Sequence, residues 1–175
     1  MLPKQYAWLG KEAGPRILVE FVKIYGTVET PGPRSNPVLL AWAERTGMAK
    51  VYRSDSIPWC GLGMGYVALQ AGWEIPSNPL WARSWLTWGN PAKVPMLGDV
   101  LVFSRGKGGH VGVYVGEDAT AFHVLGANQD DAVKVKRIAK SRLLGARRCP
   151  WRMSEPEQVR RIHLKATGGL SVNEA

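Results

Sequence analysis

Cysteine is scarce in this chain, and its scarcity sets the first bounds. Cys60 and Cys149 are the only two in 175 residues, too few for the disulfide framework of a small secreted domain. The three histidines, His110, His123 and His163, stand at no paired-ligand spacing to either cysteine. No structural zinc site is therefore expected, and no metal or other cofactor is implied. No apolar run reaches the ~18–20 residues that a membrane-spanning helix needs. The opening residues, Met1 to Trp8, lack an apolar signal core, so no secretory signal peptide is expected. Acids are the minority, 14 against 23 Lys and Arg, giving a net charge of +9. Such a surplus suits a polyanion, either nucleic acid or an anionic cell envelope. Neither zinc-finger spacing nor an RNP-like aromatic strand is present, which argues against nucleic acid. From Lys134 onward lie 11 of the basic residues, opposed only by Glu155, Glu157 and Glu174.

What is present is enough apolar sequence, 45% of the chain, for one domain with a real core. A short helix is expected in residues 3–12. A stronger one follows Pro15, with Ile17, Leu18, Phe21, Val22 and Tyr25 as its apolar stripe and Gly26 as its stop. Asn36 followed by Pro37 reads as an N-cap and first helical position, with Gly47 ending that helix. Asn78-Pro79 repeats the signal, ahead of a helix holding Trp81, Trp85 and Trp88 and ending at Gly89. From residue 96 the pattern changes to short apolar runs between turns. Strands are expected at residues 100–104, 110–115, 120–125, 132–136 and 143–149. Helices followed by an antiparallel meander make the class α+β. Residues 1–150 form the domain, and 151–175 read as a basic polar tail.

The stretch from Ser56 to Gly72 carries the chemistry. It reads as a loop entering a helix with Cys60 in the first turn, where the positive end of the helix dipole favours a thiolate. Gly61, Gly63 and Gly65 each cost roughly 1 kcal/mol in a helix, so the backbone there is expected to touch another element. A free cysteine is most often a small buried hydrophobe, and Cys149 is read that way. A nucleophilic cysteine needs a base and a group to orient it. His163 lies in the tail and His123 is mid-strand. His110 opens a strand directly after a glycine loop, where an imidazole can approach a helix start. The end of the next strand returns near His110, which makes Asn128 the best orienting amide and Gln129 the second. Asn128 also reads as a simple turn residue. No Gly-x-Ser-x-Gly elbow supports a serine hydrolase. Trp85 and Trp88, with Trp59 beside the cysteine, are candidates for an aromatic wall along a substrate groove; the plainer reading is that they cover the sheet edge.

Several short motifs occur in one order: Pro58-Trp59-Cys60, Ala82-Arg83-Ser84-Trp85 through Gly89, Gly98-Asp99-Val100, Gly109-His110-Val111-Gly112 and Leu125-Gly126-Ala127-Asn128-Gln129. Together they resemble the NlpC-like cysteine amidase/peptidase family of phages and prophages, related to the CHAP amidases. The resemblance covers about residues 5–150. It implies a papain-like fold, with the cysteine at a helix N-terminus packed on an antiparallel sheet. It implies a peptidoglycan hydrolase of endolysin type, an N-acetylmuramoyl-L-alanine amidase or a peptidase, waiting in the host cytoplasm until lysis; a monomer is expected. Cys60 is the implied nucleophile, His110 the base and Asn128 the third member. Two positions depart from wider relatives: Trp59 stands where NlpC-like peptidases usually have Asp, and Gly126 where CHAP domains usually have an acid. The alternative is a non-catalytic wall-binding or virion structural protein on the same fold.

Overall fold

A computed structural model describes residues 1–151 and 153–174. Among these residues the order is a 3-10 helix (Lys4–Lys11), α1 (Arg16–Lys23), α2 (Pro37–Arg45), α3 (Cys60–Gln70) and a second 3-10 helix (Ala82–Thr87), then the strands. These are β1 (Asn90–Pro91), β2 (Val100–Arg105), β3 (Gly108–Glu117), β4 (Ala121–Gly126), β5 (Lys134–Ala139) and β6 (Leu143–Arg148), the last preceded by a third 3-10 turn at Lys140–Arg142. The class is α+β.

Local sequence explains the helices. Ile17, Leu18 and Phe21 form the buried face of α1. The Asn36 side chain accepts the Val38 N–H at 2.8 Å and caps α2, with Pro37 at the first helical position. Gly72, past the end of α3, adopts φ +85° as a helix stop. The segment after Asn78 departs from expectation. It forms only the short 3-10 helix, and Asn78 does not cap it. The carbonyls of Pro79 and Leu80 are pressed against α3, and the Trp85 indole N–H donates to the Pro79 carbonyl at 3.1 Å. Those tertiary contacts hold the chain away from a regular helix.

The sheet is antiparallel in the order β1-β6-β2-β3-β4-β5. Only β2 to β5 follow the expected meander; β6 crosses back to pair with β2, and β1 adds to its outer edge. One face, carrying Val100, Val102, Val111, Val113, Val115 and Leu125, packs on the helices. The other carries Leu101, Phe103, Tyr114, Phe122, Val124 and Ile138. Alternation along each strand sends successive residues to these two layers.

The basic C-terminal segment lies against the sheet. Glu117 donates its N–H to the Ile162 carbonyl at 2.8 Å, and Ser171 donates to the Arg137 carbonyl at 2.8 Å. Asp130 donates to the Glu174 carbonyl at 2.9 Å. Glu174 is fully buried and takes a two-pronged ion pair from Arg142 at 2.7 and 2.8 Å. Lys140 and Arg161 converge on buried Glu117. Part of the positive charge legible in the sequence is therefore used inside the fold.

Candidate functional site

Cys60 begins α3 and is almost wholly buried. The glycines behind it are explained by contact. A methyl group at Gly61 would lie 2.2 Å from the Pro79 carbonyl oxygen, and one at Gly63 would lie 2.4 Å from the Ala127 side chain. The helix start is thus held between the 79–80 segment and the loop after β4. The backbone N–H groups of Cys60, Gly61 and Val111 face the thiol.

The Val111 contact places the sulfur with respect to the sheet. Tyr114 donates its N–H to Asp99, toward β2. Two-residue alternation then turns the Val111 N–H to the opposite edge of β3. The β3–β4 ladder begins only at Val113 and Leu125, so this N–H has no strand partner in that ladder, and it lies on the side of the Cys60 thiol, whose ionised form it favours. The sulfur sits at the open edge of β3, one residue from His110.

His110 is fully buried. Its Nε2 lies 3.0 Å from Gln129 Oε1. The Gln129 amide nitrogen donates to the carbonyls of Val124, Gly126 and Lys134 at 3.1, 3.4 and 2.5 Å. That leaves its oxygen as acceptor, so His110 carries its proton on Nε2 and Nδ1 bears a free lone pair. Nδ1 is buried and has no hydrogen-bond partner among the described residues. No hydrogen bond joins it to Cys60 in this structure. The cross-strand partner of His110 is Phe103, which belongs to the sheet face away from the helices. The ring and the sulfur therefore approach the free edge of β3 from different sides.

The electrostatics differ from the sequence expectation. Burial pushes the Cys60 thiol up, against the opposing influence of Arg105 and the three N–H groups. Burial pushes His110 down to about 4, against the attraction of Glu174. Both effects favour a neutral thiol and a neutral imidazole over a resting ion pair. Cys149 is also buried, and its thiol is pushed up to about 12. The neighbouring arginines do not rescue it: Arg147 binds the carbonyls of Trp88 and Gly89, and Arg148 binds Asp99.

The remaining sequence candidates fall in other places. Asn128 makes no hydrogen bond to the His110 ring. Its backbone is left-handed, at φ +53°, its Oδ1 accepts the Trp59 N–H at 3.1 Å and its amide donates to Glu29 at 3.3 Å. It fastens the loop before Cys60 to the end of β4, and the orienting amide is Gln129, one residue on. Trp59 and Trp85 are fully buried, with indole N–H groups given to Glu29 and the Pro79 carbonyl. Trp88 lines a separate groove with Trp73 and Pro150. The aromatic ring at the Cys60 groove is Trp81, 54% exposed, with Leu80 and Arg105 beside it in a cavity of about 350 Å³. Exposure alone singles out Trp81, and exposure is not visible in a run of tryptophans. His123 is bound on both ring nitrogens, by Tyr6 at 2.7 Å and Asp118 at 2.9 Å, and is a satisfied structural group. Among the described residues no cluster of three or more metal-ligating side chains is found, and no helix is long and apolar enough to cross a membrane.

The sequence matches no family model and no curated protein.

Proposed function

We propose that the chain is a thiol-dependent hydrolase that cleaves an amide bond of the peptidoglycan stem peptide, on a papain-like arrangement of helix and sheet. The observation that carries this reading is the bare Nδ1 of His110. A buried imidazole nitrogen without a partner is costly to keep, and this one belongs to the residue beside Val111, whose backbone N–H acts on the buried Cys60 thiol. The ordered motifs that resemble those of NlpC-like amidases and peptidases suggest the substrate class. Cys60 attacks the amide carbon and its proton passes to His110 Nδ1, a step that requires the ring and the sulfur to come together at the edge of β3. The imidazolium so formed protonates the leaving amine, and water then releases the acyl group from sulfur. Gln129 holds the ring in the tautomer this needs. The N–H groups of Cys60 and Gly61, free at the helix start, receive the tetrahedral oxyanion. Because the resting pair is neutral, proton transfer accompanies attack rather than preceding it. A phage lysin, held in the host cytoplasm until the membrane opens, fits the motif resemblance and the basic surface.

The test is digestion of purified peptidoglycan by the parent and by Cys60→Ala, with the fragments read by mass spectrometry. The parent releases new amino termini and the variant, still folded, releases none. Equal release by both removes the proposal. A wall-binding protein without catalysis would instead sediment with peptidoglycan and release nothing in either form.

A further inference from the structure

Arg105 closes β2 and lines the groove that opens on Cys60. Other arginines of the sheet are engaged: Arg137 with Asp118, Arg142 with Glu174, Arg147 with two carbonyls, Arg148 with Asp99. Arg105 makes no side-chain hydrogen bond or ion pair among the described residues, and its Nη1 is buried without an acceptor. No acidic side chain lines the groove, whose other walls include Val51, Pro58, Leu80 and Trp81. A guanidinium nitrogen turned inward with nothing to donate to is held at a cost. Its fork of donors matches a carboxylate. The charge acts on both Cys60 and His110, so a group bound there sits beside the reacting sulfur. One guanidinium, with the uncharged Asn78 amide the other polar side chain among mainly apolar walls, suits a single negative charge on an otherwise apolar body. A phosphate would set two negative charges against the one cation that lines this groove.

We infer that Arg105 is a carboxylate-binding residue of the Cys60 groove, and that the amide attacked by Cys60 lies next to a free carboxylate of the substrate peptide. The second half rests on the hydrolase reading above; the anion site itself does not. Peptides whose neighbouring carboxyl is amidated are then poor substrates.

The test is alkylation of Cys60 in the full chain by iodoacetate and by iodoacetamide, located by peptide mass so that Cys149 is counted separately. Both reagents form a sulfur–carbon bond as iodide leaves, and only iodoacetate brings a carboxylate. With each rate referred to that of a free thiol such as glutathione, the parent favours iodoacetate by about tenfold, and Arg105→Gln falls to parity, the difference a bound carboxylate makes. Arg105→Lys, which keeps the charge and loses the fork, retains part of the preference. Loss of the Arg105 charge slows both reagents through the thiol, so their ratio isolates the carboxylate contact. Parity in the parent, or an unchanged ratio in Arg105→Gln, overturns the inference. A parent that digests walls yet shows parity loses the anion site alone. A parent with the preference that digests nothing keeps the anion site and loses the hydrolase reading.

Discussion

Replacing His110 with glutamine makes the fold less sensitive to acid. Burial lowers His110 from 6.5 to about 4; Glu174 opposes this, and Arg105 and Arg142 add to it. The unfolded chain takes up a proton near 6.5, whereas the folded chain resists until about 4. As pH falls between those values the unfolded state binds more protons, so stability is lost, and the loss levels off below about 4. At roughly 1.4 kcal/mol per pH unit across that gap, the histidine accounts for about 3 kcal/mol of acid destabilisation. Glutamine does not titrate, and its amide can still donate to Gln129. Urea unfolding of both proteins at pH 7 and pH 4 gives the double difference, in which any pH-independent cost of the substitution cancels. His123, also lowered by burial, contributes to both proteins and cancels as well. The parent is expected to lose about 3 kcal/mol more than His110→Gln on acidification. Equal losses in the two proteins would mean that His110 is open to protons in the folded state.

Three other outcomes follow from the geometry. Alanine normally improves a helix over glycine by roughly 1 kcal/mol, but Gly63→Ala drives a methyl group into Ala127 and is expected to destabilise by about 1–3 kcal/mol in thermal or urea unfolding; a gain would contradict the close approach. Gln129→Ala is expected to lower kcat about 10- to 100-fold with little change in KM, as for loss of a group that orients a catalytic side chain, whereas Asn128→Ala acts mainly on stability, by about 1–2 kcal/mol. The reverse pattern in steady-state kinetics and unfolding would restore Asn128 as the orienting residue. Trp81→Ala, at an exposed position on the groove rim, is expected to raise KM about five- to tenfold without changing the unfolding midpoint.

Much of the fold was legible because local signals and tertiary demands agree. The Asn36-Pro37 cap, the α1 stripe and the apolar runs of β2 to β4 each bury what their pattern says they bury, whereas the strand expected at 132–136 lies at Lys134–Ala139 and buries only Ile138. The helix expected after Asn78-Pro79 failed because the Pro79 carbonyl is already committed to Trp85 and Gly61 lies against it. Strand β6 was found but not its place, since a return to β2 depends on pairing across the sheet, which periodicity does not encode. Within the site, Cys60 and His110 were marked by a helix start and a strand start. The choice between Asn128 and Gln129 was not readable, because it is decided by tertiary partners: Asn128 is taken by the Trp59 N–H, and Gln129 reaches the ring. The thiolate expected from the helix dipole lost to burial, a quantity that depends on the whole fold. The tail read as polar and unpatterned, yet Glu174 is buried on Arg142 and acts on His110; an isolated acid near a chain end carries no signal of that kind.

The central claim is that Cys60 becomes acylated by the substrate. The direct measurement is an acid quench of the parent protein turning over peptidoglycan fragments, followed by mass analysis of the peptide that contains Cys60. The expected result is a mass gain equal to the acyl portion of the cleaved substrate, lost on treatment with hydroxylamine and absent in Cys60→Ser. Turnover by the parent with Cys60 unmodified, together with cleavage by Cys60→Ser at the parental rate, would contradict it.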